Sequence, residues 1–88
     1  MILFHVSPKR LKLLRPEKSQ TAYSRVFLCE FERLEWAIEH TARRHNVTRH
    51  RLYVHAVRFK IGSWPKMIKP GIYATYQELI AIARWRLK

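Results

Sequence analysis

This 88-residue sequence has little of what phosphate-binding loops, disulfide scaffolds and carboxylate-based enzymes require. It contains two glycines, one cysteine and no aspartate among its six acidic residues. The sequence contains no glycine-rich phosphate loop, dinucleotide-binding fingerprint or serine nucleophile elbow, and two glycines are too few for most such motifs. A lone cysteine excludes an internal disulfide, so we expect an intracellular, cytoplasmic setting.

Long apolar runs are also missing. No stretch approaches the roughly 20 residues that cross a bilayer, and His5 and Pro8 interrupt the apolar start too early for a signal peptide. We therefore expect no membrane partner. The length predicts a single domain, residues 1–88, with room for one modest core.

Positive charge is abundant. Eighteen lysines and arginines against six glutamates give a net charge of +12. Four of the glutamates lie within residues 30–39 beside one arginine, so the other 78 residues carry 17 basic and 2 acidic residues, or +15. A surplus of this size favours a polyanionic partner: nucleic acid, an acidic protein surface or a phosphate-bearing ligand. The alternative is a role in solubility or a compositional bias of the source genome.

Hydrophobic runs predict several strands. Residues 1–6, 25–29 and 51–59 are rich in aliphatic and aromatic side chains, and the first run is apolar at nearly every position, which predicts a central strand. Residues 78–87 are predicted as a last strand. Proline and glycine predict loops at residues 15–24 and 60–71, with a short strand around Leu11, Leu13 and Leu14 before the first of them.

One main helix is predicted over residues 31–46, where apolar residues recur at intervals of three and four. Its stripe consists of Phe31, Leu34, Ile38, Ala42 and His45. Glutamates fill its first half, and Asn46 is the expected left-handed C-cap. The fold class is therefore α+β, a small mixed or antiparallel β-sheet with one main helix.

The common catalytic and metal-binding patterns are weak. His40, His45, His50 and His55 fall five apart, which is the wrong spacing for one helical face, so no metal site is predicted. Cys29 lies in an apolar run and is expected to be an inert core residue. The helical glutamates are expected to form a solvated face.

The first strand ends on a His-x-Ser-Pro turn, His5 to Pro8, which presents a lone histidine at the end of the strand. A strand containing Val26-Phe27-Leu28-Cys29, a helix containing Glu35-Trp36-Ala37-Ile38-Glu39 and a strand containing residues 52–57 follow. This order of elements resembles the ADP-ribosyltransferase superfamily. It is most similar to the small bacterial members, namely rifampin ADP-ribosyltransferases, RNA 2'-phosphotransferases and an ADP-ribosylating phage anti-CRISPR protein, over roughly residues 3–79.

The resemblance implies an NAD site and a mono-ADP-ribosyltransferase activity, intact or degenerate. It implies that His5 holds the NAD ribose and that Val6 and Ser7 lend backbone groups to the nicotinamide amide. Phe27 stands where the family has a stacking tyrosine, so the ring is kept and the hydroxyl is lost. Glu78, in Tyr76-Gln77-Glu78, resembles the acid that stabilises the ribosyl oxocarbenium ion.

Each of these residues has a structural alternative. His5 is then a hydrogen-bonded edge histidine, Phe27 a core ring, and Glu78 half of a surface ion pair with a neighbour such as Arg84. The hydroxyl of Tyr73 is a further pocket candidate.

A second hypothesis is a non-catalytic, strongly basic module that binds nucleic acid or an acidic protein, with Tyr53, Trp64, Tyr76 or Trp85 available to stack on bases. A phage-encoded inhibitor of a host complex fits either hypothesis. The candidate contacts with nucleic acid or an acidic partner are Arg49, Arg51, Trp64, Lys66, Lys69, Arg84 and Arg86.

Overall fold

A computed structural model describes residues 1–16 and 25–88 of the chain. The described strands are β1 (Ile2–Ser7), β2 (Leu13–Leu14), β3 (Val26–Cys29), β4 (Tyr53–Arg58), β5 (Lys66–Lys69), β6 (Ile72–Thr75), β7 (Leu79–Ile80) and β8 (Ala83–Arg86). The helix α1 spans Leu34–His45, and single turns of 3-10 helix span Phe31–Arg33 and Arg49–Arg51. Most of the predicted loop at residues 15–24 lies outside the described residues. No described helix has the length and apolar character needed to cross a bilayer.

The main sheet has the strand order β5-β6-β3-β1-β4-β8, and every neighbouring pair is antiparallel. The prediction that the first strand is central is confirmed, because β1 lies between β3 and β4. Its pairing with β4 runs from Ile2 opposite Arg58 to Ser7 opposite Tyr53. The α+β class, with one main helix and an antiparallel sheet, is confirmed as well.

The two faces of the sheet are covered differently. On one face, Ile38 of α1 packs against Val6, Leu52 and Val54. On the other, a two-stranded ribbon of β2 and β7 adds its own leucines to a core formed by the remaining strands. That core contains Leu3, Leu14, Val26, Leu28, Val57, Phe59, Tyr73 and Leu79. Successive residues of β4 therefore face opposite sides of the sheet, and both faces of the strand meet core over part of its length.

The predicted helix is correct apart from its first turn. Asn46 adopts the left-handed conformation at φ 53°, and its N–H donates to the carbonyl oxygens of Ala42 and Arg43, as expected of a C-cap. The placement of Phe31 on the buried stripe is wrong, because this residue lies in the 3-10 turn and is 70% exposed. The ring of Phe31 lies edge-on to the ring of Phe4, at 6.2 Å between centroids.

Two predictions in the second half of the chain are wrong. The expected loop at 60–71 contains β5, because Pro65 and Pro70 flank the strand and an edge strand tolerates proline there. The expected strand at 78–87 is two short strands, since β7 pairs with β2 and β8 pairs with β4. The chain changes partner after Ala81, which is buried.

Gly71 links β5 to β6 at a point where only glycine fits. Its φ is +77°, and a Cβ atom there would lie 2.6 Å from Cγ of Arg33 and 3.2 Å from Oε2 of Glu30. The carbonyl oxygen of Gly71 also accepts the N–H of Glu30 at 2.9 Å. The turn between β5 and β6 is therefore packed directly against the start of the helical segment.

We expect Gly71→Ala to lower the free energy of unfolding by about 2 kcal/mol or more, from backbone strain plus the clash with Arg33. Gly62→Ala is the matched control, since Gly62 has φ +90° but nothing within 4 Å of an added Cβ. It should cost only the backbone strain, about 1 kcal/mol. Urea unfolding of both variants measures the difference, and equal costs would contradict the close approach at Gly71.

Candidate functional site

His5 lies on β1 and points toward the ribbon-covered face of the sheet. Its Nδ1–H donates to the carbonyl oxygen of Phe27 at 2.7 Å, which leaves Nε2 as the acceptor of a neutral ring. Burial lowers the pKa of His5 to about 4, against the raising effect of the Phe27 carbonyl, and neighbouring His55 lowers it further. At neutral pH this side chain is therefore an uncharged imidazole.

His55 lies opposite His5 on β4, with 5.9 Å between the ring centroids, and it is fully buried. Its Nδ1–H donates to the carbonyl oxygen of His5 at 3.2 Å, and its Nε2 accepts the N–H of Leu11 at 2.9 Å. Burial lowers the pKa of His55, the His5 carbonyl raises it and Arg84 lowers it. A second proton on this ring would displace the Leu11 amide, so the neutral ring anchors the basic connector at residues 8–12.

The side chain of Phe27 points away from His5. Val26 and Leu28 belong to the core on the ribbon side, and neighbouring residues of a strand face opposite ways, so Phe27 faces the helix side. The guanidinium of Arg25 lies 5.3 Å from the centre of its ring. His5 and Phe27 are thus joined only through the backbone carbonyl, and no surface presents imidazole and ring together.

Val6 and Ser7 follow His5 but have other roles in the structure. Val6 is 8% exposed and packs into the core beneath α1. The Oγ of Ser7 accepts the N–H of Lys9 at 3.1 Å, which shapes the turn after β1. Ser7 therefore supports the connector.

Glu78 forms an exposed ion pair with Arg15, at 3.4 Å between Oε2 and Nε. A surface pair was the alternative for Glu78, but naming Arg84 as its partner was wrong, because Arg15 and Glu78 continue the ladder of β2 and β7. Glu78 also lines a cavity of about 490 Å³ with Phe59 and Lys60, and His5 does not.

Glu78 and His5 do not share the cavity of about 490 Å³, because Glu78 lines it and His5 does not. Phe27 faces the other side of the sheet from His5. The described structure does not bring His5, Phe27 and Glu78 into one hollow.

Tyr73 is buried, and its hydroxyl donates to Oε1 of Glu30 at 3.1 Å. Burial raises the pKa of Tyr73, and the Glu30 carboxylate raises it further. Cys29 is buried too, and burial raises the pKa of its thiol to about 11, as expected of an unreactive core residue.

The predicted contact residues separate onto two edges of the sheet. Trp64, Lys66 and Lys69 lie on or beside β5, whereas Arg84 and Arg86 lie on β8 at the other edge. Five inter-strand steps separate these edges, or about 24 Å. The two groups therefore do not form one surface across the strands.

Arg49 is already paired. Its Nη1 and Nη2 donate to Oε2 and Oε1 of Glu35 at 3.1 and 3.2 Å, a two-point contact that raises the pKa of Arg49. Glu35 is one of three exposed glutamates along the helical segment, with Glu32 and Glu39. Arg49 therefore belongs to the acidic side of the molecule.

The β8 edge carries cations in register with an aromatic residue. Tyr53 of β4 lies between Ser7 and Arg86, and His55 lies between His5 and Arg84 in the neighbouring row. The guanidinium of Arg86 is held in place because its Nε donates to the carbonyl oxygen of His50 at 3.0 Å. The Nε of Arg84 is buried and has no hydrogen-bond partner among the described residues.

A cavity of about 460 Å³ opens at this edge. Its lining residues are Pro8, Val47, His50, Arg51, Tyr53 and Arg86. We call the surface formed by His50, Arg51, Tyr53, Arg84 and Arg86 the cationic end. The described glutamates lie elsewhere: on the helical segment, beside Tyr73, and beside Arg15. The cationic end is therefore a concave positive surface that no described carboxylate lines.

Sequence reasoning named Arg51, Arg84 and Arg86 but did not show that they converge. The bond from Arg86 to the His50 carbonyl joins positions 36 residues apart, and no local pattern signals it. Among residues 1–16 and 25–88, no group of three or more metal-ligating side chains is placed to hold a metal ion.

No family model, curated protein or solved structure matches this chain. The resemblance to ADP-ribosyltransferases stays a prediction, and function is argued from the geometry above.

The two neutral imidazoles predict acid sensitivity. The unfolded chain protonates its histidines below about pH 6.5, whereas folded His5 takes a proton only near pH 4. Unfolding therefore takes up protons between these values, and the free energy of unfolding falls as the pH is lowered through this window, by at most about 3 kcal/mol from His5.

His5→Asn places an amide N–H where Nδ1 donates but removes the titration. We expect its free energy of unfolding to fall less than that of the wild type between pH 7 and pH 4.5, as measured by urea unfolding. Identical pH slopes for the two proteins would show that His5 is not held neutral.

Proposed function

We propose that this chain is a non-catalytic module that binds single-stranded nucleic acid through the cationic end of its sheet. The observation that carries the proposal is the placement of Arg51 and Arg86 around Tyr53, in a cavity with no carboxylate in its lining. Clustered cations next to an aromatic ring are the combination that proteins use to hold a phosphodiester backbone and a base.

The charge distribution supports a polyanion as the partner. Exposed Glu32, Glu35 and Glu39 lie on the helical segment, whereas Arg84 and Arg86 lie on β8 at the edge of the sheet. The two regions meet at the 3-10 turn, where Arg49 pairs with Glu35 and Arg51 lines the cavity. The net positive charge attracts a polyanion, and the carboxylates of the helical segment disfavour its binding there. Lys9 and Arg10, both exposed on the connector that His55 anchors, extend the positive surface.

The ring beside the cations favours nucleic acid over an acidic protein. A guanidinium fork fits a phosphate and a carboxylate alike, but the half-buried Tyr53 beside Arg86 also offers a ring on which a base can stack. A single strand is favoured over a duplex because its bases are free to leave the stack and reach the ring.

Among the described residues, no carboxylate or thiol lines this surface, and the ring of His50 is in contact with the Thr48 hydroxyl. Glu78 is engaged with Arg15, Glu30 with Tyr73, and the neutral imidazoles of His5 and His55 hold backbone groups. This surface is therefore suited to binding and not to bond cleavage.

Salt dependence tests the proposal. For a single strand, the logarithm of the binding constant falls with the logarithm of salt concentration by about 0.7 for each phosphate contacted. We expect Arg84→Gln and Arg86→Gln each to reduce this slope by about 0.7, measured by fluorescence anisotropy of a labelled single-stranded oligonucleotide.

Arg58→Gln is the matched control, because exposed Arg58 makes the same charge change at the other end of β4, on the opposite face. It should leave the slope unchanged. Absence of oligonucleotide binding at low salt would contradict the proposal and leave an acidic protein as the partner. Equal slope losses in all three variants would show that only the overall charge matters.

NAD binding, which the resemblance implies, gives a separate prediction. It needs a dinucleotide that reaches Nε2 of His5, Phe27 and Glu78 together, whereas Phe27 faces the other side of the sheet from His5 and Glu78 is paired with Arg15. We therefore expect millimolar NAD to leave the melting temperature of the wild type and of His5→Ala unchanged. A rise in the wild type that His5→Ala abolishes would favour the ADP-ribosyltransferase hypothesis instead.

A further inference from the structure

The open cavity at the cationic end has the volume of a site for one small ligand. Its volume of about 460 Å³ falls within the range of about 300 to 1,000 Å³ that is typical of small-molecule sites. Pro8 and Val47 supply apolar contacts, Tyr53 supplies a ring, and cationic side chains approach from two separate elements. A surface that only attracted a polyanion would need neither the concavity nor the apolar contacts.

We infer that this cavity seats one nucleotide unit, with the phosphate between Arg51 and Arg86 and the base against Tyr53. The inference rests on the proposed function, and it names the subsite in which a single nucleotide of the strand is held.

Arg86 is prepared for a phosphate by its own hydrogen bond. Its Nε donates to the His50 carbonyl at 3.0 Å, so the plane of the guanidinium is set before any ligand arrives. Its Nη1 and Nη2 have no hydrogen-bond partner among the described residues. Two parallel N–H donors held in place are the geometry that binds two phosphate oxygens at once.

Arg51 supplies the second cation from a different element. Its backbone N–H donates to the Thr48 carbonyl at 3.0 Å and closes the 3-10 turn, while its exposed side chain makes no contact with a carboxylate in the described part of the chain. Thr48 also contacts the ring of His50, at 3.2 Å between Oγ1 and Nε2. The turn therefore holds Arg51 and His50 on one side of the cavity and β8 holds Arg86 on the other.

Tyr53 completes the site. It is half-buried in β4, and its hydroxyl makes no hydrogen bond with the described residues. A half-buried ring is held by its packing and keeps exposed surface on which a base can stack. The adjacent row offers Arg84 to the phosphate of the next nucleotide, so a strand entering the cavity has a path along β8.

An NMR titration of the isotope-labelled full chain tests this inference. The probes are adenosine 5'-monophosphate, adenosine and inorganic phosphate, followed by a single-stranded oligonucleotide. We expect the monophosphate to give saturable shifts at the amides of residues 50–53 and 86, with an affinity at least about tenfold above that of either fragment, since it uses both the cations and the ring. The oligonucleotide should shift the same amides, and the monophosphate should compete with it.

Variants separate the two contacts. Arg86→Lys keeps the charge but loses the fork and the bond to His50, so we expect about tenfold weaker binding of the monophosphate. Tyr53→Leu should weaken it similarly, whereas Tyr53→Phe keeps the ring and should retain binding. Arg58→Gln is the control that should change nothing, and thermal melting of each variant checks that it is folded.

The outcomes distinguish the site from the function. If the monophosphate binds no better than inorganic phosphate while the oligonucleotide still binds with a steep salt slope, the nucleotide site is wrong and nucleic-acid binding stands. If the monophosphate saturates the cavity and the oligonucleotide does not bind, the cavity is a site for a free nucleotide and the proposed function is wrong. Shifts confined to residues outside the cavity would overturn the inference.

Discussion

The antiparallel register between β1, β4 and β8 determines which side chains meet at the cationic end. It places Tyr53 between Ser7 and Arg86 in one row, and His55 between His5 and Arg84 in the next. A slip of one residue would turn Tyr53 toward the helix and Val54 toward the ribbon. The register is held because both faces of β4 are buried over much of its length, so a slip would expose core residues and bury polar ones.

The neutral imidazoles of His5 and His55 give this register its polar connections. Both ring nitrogens of His55 form hydrogen bonds with backbone groups, one on β1 and one on the connector that follows β1. Buried polar groups are tolerated when they are fully hydrogen-bonded. A positive charge on the ring of His55 would cost the hydrogen bond from the Leu11 amide and would be repelled by Arg84. Neutral histidine thus lets a basic connector lie over a sheet edge that already carries arginines.

Sequence patterns predicted the features of the fold that depend on neighbouring residues in the chain. The uniform apolarity of β1 indicated a central strand, and Asn46 indicated the end of the helix. The strand β5 was missed because Pro65 and Pro70 signal a loop unless the edge position is known. The pairing of Glu78 with Arg15, and of Arg86 with the His50 carbonyl, joins residues far apart in sequence. Candidate cations could be named from composition, but their convergence depends on strand order.

Ultraviolet crosslinking of a single-stranded oligonucleotide, followed by trypsin digestion and mass spectrometry, tests the central claim most directly. Tyr53, Trp64 and Trp36 fall on three different peptides, residues 52–58, 61–66 and 34–43, so each aromatic region reports separately. The account predicts that the crosslink lies on the peptide of residues 52–58. A crosslink confined to residues 61–66 on the opposite edge, or to residues 34–43 on the acidic helix, would contradict it.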